Sequence, residues 1–258
     1  MTSLAQILEN FDPRSEFIPP PNWRQGRTVY GGLTAALALQ AARLDASDDL
    51  PSLKSAQISF VGPASDALRF RTQTLRQGKS ATSISVDCLA GPEVALRAVF
   101  FFANPRSSRI QHEFAKRPAV GRPDDYPRHV GEREAPASLS NFDLRFAGGS
   151  RPVTGSDHPE FVAWGRNLDA SGVAPAIALV ALADSLPPAA VASFTEFAPI
   201  SSMVWTMNFP QPASPGEWFL LRSASQRAAH GYSFQTMEIW NEEGTLVQVG
   251  SQTVAIFA

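Results

Sequence analysis

Asp184 closes a long apolar run, Val173-Ala174-Pro175-Ala176-Ile177-Ala178-Leu179-Val180-Ala181-Leu182-Ala183. A carboxylate there is chemically odd. Pro175 suits a first helical turn, where its missing N–H is no loss, and the Ala and Leu residues that follow are strong helix formers. The helix is apolar on every face, so it should be buried all round; it is too short to cross a bilayer. Asp184 then falls near the negative end of the helix dipole and at the rim of an apolar core, both unfavourable for an anion. Two explanations stand: the residue has left the helix and caps the turn into Ser185-Leu186-Pro187-Pro188, or the carboxylate is kept for chemistry.

Partners for such a carboxylate are sought on strands. A strand over 202–209 puts Ser202, Val204, Thr206 and Asn208 on one face and Met203, Trp205, Met207 and Phe209 on the other. The last strand puts Gln248, Gly250, Gln252, Val254 and Ile256 on one face, and period alone does not separate Gln248 from Gln252. Gly31-Gly32, in front of a second apolar run (Leu33 to Ala42), allow close backbone approach at a helix N-terminus. His112, His129, His158 and His230 are scattered, with no HxH or HxxxH spacing, so no metal site is expected. Cys88 alternates with Ile84 and Val86 and reads as core. Neither a GxSxG elbow nor a phosphate-binding loop occurs.

Composition narrows the field. The net charge of −2 gives no electrostatic case for nucleic acid or an anionic membrane. One cysteine excludes an intramolecular disulfide and a structural zinc cluster, and fits a reducing compartment. Met1-Thr2-Ser3-Leu4-Ala5-Gln6 lacks the pattern of a secretion signal, so a cytoplasmic protein is expected.

The elements around these residues repeat. Phe11-Asp12-Pro13-Arg14 is expected to open a first strand, followed by the 33–42 helix and four strands: Ser55 to Val61, Leu68 to Arg76, Ala81 to Leu89 and Val94 to Ala103. Gly62-Pro63, Gly78 and Gly91-Pro92 mark the turns. Residues 104–138, punctuated by prolines, read as a connector. Then Phe142-Asp143-Leu144-Arg145 echoes the first strand, Phe161 to Asn167 forms another, and the helix ending at Asp184 follows. Ser202 to Phe209, Trp218 to Ala224, Tyr232 to Trp240 and Leu246 to Phe257 complete a second meander. Two copies of one buried helix plus an antiparallel meander make an internal duplication. Side by side, each would cover the other's open sheet edge.

On these residues the chain resembles the acyl-CoA thioesterase II family. The likeness rests on Val29-Tyr30-Gly31-Gly32, Ile58-Ser59-Phe60-Val61-Gly62-Pro63 and Thr74-Leu75-Arg76-Gln77-Gly78-Lys79-Ser80 in the first half. In the second it rests on Ala183-Asp184-Ser185-Leu186-Pro187, Asn208-Phe209-Pro210-Gln211-Pro212 with Glu217-Trp218, and Gly244-Thr245-Leu246-Val247 running to Ser251-Gln252. It implies an α+β double hotdog: an N-terminal hotdog over 1–110, a connector over 111–138 and a C-terminal hotdog over 139–258, each an antiparallel sheet wrapped around a buried helix. It implies hydrolysis of an acyl-CoA or acyl-carrier thioester without a cofactor, by a water held by an Asp, a Thr or Ser and a Gln. The family positions fall on Asp184, Ser202 and Gln252, which favours Gln252 over Gln248. A backbone N–H at Gly31 or Gly32 is the expected oxyanion donor.

Three departures mark this chain. Ser202 stands where Thr is common and lacks the methyl that stiffens the rotamer. Ala229-His230-Gly231-Tyr232 replaces Ala-Arg-Gly-Phe, and Val204-Trp205 replaces an Asp-His pair. Family habit also implies a homo-oligomer, while the net charge and the short apolar helices give no expectation of a nucleic-acid partner or of membrane insertion. Two other readings are a double hotdog that binds acyl-CoA or a lipid-like ligand without cleaving it, and a hydratase or dehydratase, which would want an acid–histidine pair.

Overall fold

Two helices with hardly a polar side chain between them set the architecture, because neither has a face it can leave in water. The computed structural model describes residues 1–47, 49–129, 135–213 and 216–257. In chain order it contains α1 (Leu4–Glu9), β1 (Arg24–Gln25), β2 (Thr28–Val29), α2 (Gly31–Leu44), β3 (Leu53–Phe60), β4 (Leu68–Gln77), β5 (Ala81–Ala90) and β6 (Glu93–Ala103). There follow β7 (Phe142–Gly149), β8 (Glu160–Asn167), α3 (Pro175–Ala183), β9 (Ile200–Asn208), β10 (Phe219–Ala229), β11 (Tyr232–Asn241) and β12 (Leu246–Ile256). Short 3-10 turns punctuate the loops, among them Ala189–Ser193 just after α3.

α2 and α3 pack on each other, α2 against β4, β5 and β6, and α3 against β8. Leu33, Leu37 and Leu39 of α2 and Val180 and Leu182 of α3 are wholly buried. Each such side chain contributes about 1.5–3 kcal/mol of burial. All long strands join in one ten-stranded antiparallel sheet, ordered β4-β5-β6-β3-β9-β12-β11-β10-β8-β7. The strands of the first half meet those of the second at the β3–β9 pair, with Ala56 opposite Met207 and Ile58 opposite Trp205. The strands expected in each half are present, but neither set of four is a simple meander: β3 pairs with β6 and β9 with β12, instead of each pairing with the strand that follows it. This crossover sets β3 and β9 side by side, so backbone pairing ties the first half to the second and neither leaves an open edge there.

The N-terminal segment differs from expectation. Phe11-Asp12-Pro13-Arg14 is not a strand: Asp12 accepts hydrogen bonds from the Arg14 N–H and the Ser15 hydroxyl and makes a turn. The residues before it form α1, capped reciprocally by Ser3 and Gln6. Its apparent counterpart, Phe142-Asp143-Leu144-Arg145, does open β7. The local reason is Pro13, which has no N–H for a ladder and follows an aspartate that bonds its own backbone. Residues 104–122 carry no regular element, and 130–134 lie outside the described residues.

Candidate active site

The site is built where the end of α3 meets the start of α2. Asp184 is the C-cap residue of α3, so its backbone does end the helix. Its side chain does not cap the turn; it turns toward the sheet, where Gln252 Nε2 donates to Asp184 Oδ1 at 2.9 Å. On the other side lies the N-terminus of α2, with the Gly32 N–H directed at the carboxylate. The electrostatic puzzle of an anion at a helix C-terminus is thereby answered, since the positive end of α2 offsets the negative end of α3.

Tyr30 and two glycines make that approach possible. Tyr30 is the N-cap residue of α2, and its hydroxyl donates to the Ala181 carbonyl in the last turn of α3 at 2.9 Å. It satisfies one of the carbonyls that a helix end leaves unpaired and fastens the two helices together there. A Cβ on Gly31 would lie 2.8 Å from Asp184 Oδ2 and 3.1 Å from the Phe60 ring; one on Gly32 would lie 2.6 Å from the Tyr30 ring. Neither position has room for a side chain while Tyr30 and Asp184 stay where they are.

The sheet supplies the rest. Gln252 is buried on β12, between Gln235 of β11 and Trp205 of β9. Ser202 reaches the same place by an irregularity. Thr253 pairs with Val204 but Val254 pairs with Ser202, so Met203 is an extra residue in β9. The bulge leaves both Met203 and Val204 exposed and turns Ser202 to the inner face with Trp205 and Met207. The alternation expected for 202–209 is therefore corrected: Ser202 does not share a face with Val204, Thr206 and Asn208. Its hydroxyl donates to Gln252 Oε1 at 3.3 Å.

Asp184, Ser202, Gln252 and the glycine pair are thus brought together. Gln248 is not: it is fully buried further along β12, and neither its amide oxygen nor its nitrogen has a partner among the described residues. Gln235 is the residue that reading the sequence missed. Its Nε2 donates to Gln252 Oε1 at 2.9 Å, and its Oε1 accepts the Ala189 backbone N–H at 2.8 Å. The signal was present, since alternation along 232–240 places it among Ser233, Met237 and Ile239.

Asp184 is half-buried, retaining a window on solvent. Burial pushes its carboxyl up to about 6, against the opposing pull of the Gln252 and Gly32 donors. Tyr30 faces it from α2 and is held well above 10, by burial and by the carboxylate, so it stays neutral. Such a carboxyl is ionised at neutral pH yet basic enough to accept a proton. Cys88 is core, its thiol pushed up to about 12 by burial. Ala229-His230-Gly231-Tyr232 is the tip of the β10–β11 hairpin, with His230 and Gly231 both at positive φ, as a two-residue turn requires. Among the described residues no group of three or more His, Cys, Asp or Glu could hold a metal ion, and no helix is long and apolar enough to cross a membrane.

Residues 118–256 match the family model described as acyl-CoA thioesterase C-terminal domain, and residues 19–103 the one described as acyl-CoA thioesterase N-terminal domain. No curated protein sequence matches the chain. Among solved structures, a conserved hot dog fold protein of unknown function from Alicyclobacillus acidocaldarius superposes with a TM-score of 0.84 at 23% identity, covering 96% of this chain and 95% of that one. A putative thioesterase II from Thermobifida fusca gives 0.80 at 20% identity, covering 96% and 94%. The acyl-CoA thioesterase II TesB2 from Mycobacterium marinum gives 0.73 at 22%, covering 89% and 90%. The fold is the α+β hotdog fold.

Proposed function

This chain belongs to the acyl-CoA thioesterase family, and from that premise we propose that it cleaves the thioester of an acyl-CoA with a water molecule held by Asp184, Ser202 and Gln252. The division into an N-terminal hotdog over 1–110, a connector over 111–138 and a C-terminal hotdog over 139–258 belongs to the same reading. It is supported by the four-strand and six-strand halves that meet at β3 and β9.

The observation that carries the reading is the 2.9 Å contact between Gln252 and a carboxylate whose pKa burial raises to about 6. A pocket that only bound an apolar ligand would gain nothing from an ion whose desolvation costs stability. In the proposed reaction Asp184 takes a proton as the water oxygen attacks the thioester carbonyl. The C–S bond then breaks, and the proton on Asp184 goes to the departing thiolate. Gln252 gives one N–H to Asp184 and has a second to offer the water. Ser202 holds that water through its lone pairs. The Gly32 N–H is already directed at Asp184, so Gly31, whose N–H has no acceptor within its own helix, is the better placed of the two to receive the oxyanion. No covalent intermediate is required, because a thioester is reactive enough for a positioned water.

The test is thiol release across short to long acyl-CoAs, with Asp184→Asn as control. Release by the native protein and its near-complete loss in Asp184→Asn is the expected outcome. Tight binding of acyl-CoA with no thiol released by the native protein would refute the hydrolase and leave a binding protein. Histidine-dependent hydration is not supported by the site, since the partners of Asp184 are an amide and backbone.

A further inference from the structure

Gln252 favours an ionised Asp184 only while its amide faces one way. An amide has an acceptor at one end and two donors at the other, in nearly the same shape. With Nε2 toward Oδ1 the contact is attractive. Turned over, it would set Oε1 against Oδ1, an arrangement that demands a proton on the carboxyl. Shape does not choose between these two states, so something that distinguishes donor from acceptor must.

Ser202 cannot be that group, because a hydroxyl both donates and accepts and turns to suit its neighbour. The Ala189 backbone N–H can be, because it only donates and the chain fixes its direction. It meets Gln235 Oε1 at 2.8 Å, which leaves Gln235 Nε2 facing β12, where it meets Gln252 Oε1 at 2.9 Å. Polarity passes along this line from the turn after α3, through Gln235, to the amide of Gln252 and so to Asp184. Gln235 is buried, pairs directly across the ladder with Gln252, and has both ends of its amide occupied by these two bonds.

We infer that Gln235 is a positioning residue: it reads the Ala189 N–H and locks the Gln252 amide with Nε2 on Asp184. The inference rests on the proposed hydrolase for its effect on rate, and on geometry alone for its effect on the carboxyl. Among the described residues, Tyr30, Gly31 and Gly32 of the α2 start and Gln252 of β12 lie against Asp184, with Phe60 of β3 beside Gly31 and Ser202 of β9 bonded to Gln252. Only Tyr30 titrates, and it stays neutral through the range concerned. Loss of the lock therefore appears at Asp184 itself.

The experiment uses Gln235→Met, which keeps length without polarity, and Gln235→Asn, which keeps polarity but is too short to span both partners. Thermal unfolding identifies which variants fold, and either suffices. Two quantities are read: the steady-state rates across pH, and the ¹³C titration midpoint of the Asp184 carboxyl, assigned by its disappearance in Asp184→Asn. A folded variant is expected to lose at least about tenfold in kcat with KM within about twofold, since Gln235 does not touch substrate. The acid limb of its rate profile and the carboxyl midpoint should both move upward. A packing role alone would move neither pH quantity. If the native protein is active, an unchanged kcat or an unchanged midpoint in a folded variant overturns the inference. If the native protein releases no thiol, the hydrolase reading fails, and the midpoint alone decides whether Gln235 sets the amide.

Discussion

Replacing Asp184 by Asn should make the protein more stable while stopping turnover. In the folded chain the carboxyl takes its proton at about 6, whereas its unperturbed value is 3.8. Folding therefore binds a proton between those two values, and stability is lost as pH rises through that window. The cost is fully present above the folded value and vanishes once both states are protonated. A rise from 3.8 to about 6 puts the cost at ~3 kcal/mol at neutral pH. Asn abolishes it but sets an amide N–H against the Gly32 N–H, which returns about 1 kcal/mol. The net gain is about 2 kcal/mol, or roughly 5 °C in Tm for a chain of this size. Denaturant melts of the native protein and Asp184→Asn at about pH 7.5 and about pH 4.5 read it directly. The gap should be near 2 kcal/mol at the higher pH and close to zero at the lower, as the native carboxyl protonates. Other titrating groups are common to both proteins and cancel. An Asp184→Asn protein that is less stable at pH 7.5, or a gap that ignores pH, would refute the claim that the carboxylate is held against an unfavourable surrounding.

Further outcomes follow from the same geometry. Plotted against pH, kcat/KM should rise about tenfold per unit below about 6 and level off above it, because the base must be ionised; a profile flat down to pH 4.5 would exclude Asp184 as the base. Gly31→Ala would put a methyl 2.8 Å from the carboxylate, so activity should fall by about a hundredfold while the fold survives, measured as thiol release beside an unfolding curve. Ser202→Ala should lower kcat by about tenfold, and Ser202→Thr should match or exceed the native rate by stiffening the rotamer. Tyr30→Phe leaves the Ala181 carbonyl without its donor and should cost about 1–3 kcal/mol of stability in a denaturant melt.

Local chemistry spoke most clearly where burial is total or alternation uninterrupted. The apolar runs before Asp184 and after Gly32 could only be internal helices, and they are the two that share the core. The strands from Ser55 to Ala103 and from Tyr232 to Phe257 follow from their period and their glycine turns, within a residue or two at the ends. Asp184 drew notice for a reason that needs no neighbours: an anion closing an apolar helix demands explanation.

What tertiary structure decided was direction and partnership. Period two assigns faces only until a residue is inserted, and the bulge at Met203 exists because β9 pairs with β12, a segment some fifty residues away. It reversed the face of Ser202. Gln248 and Gln252 share a face and a residue type, and only the approach of Asp184, at the end of α3, to the middle of β12 separates them. The helix dipole that made Asp184 look misplaced was a single-element argument; the compensating N-terminus belongs to α2, some 150 residues earlier. The same holds for Gln235, whose amide acquires its sense from a backbone N–H on another segment. Sequence determines which side chains must leave water. Which polar groups then meet is set by register and helix packing, because a hydrogen bond depends on positions that no single element contains.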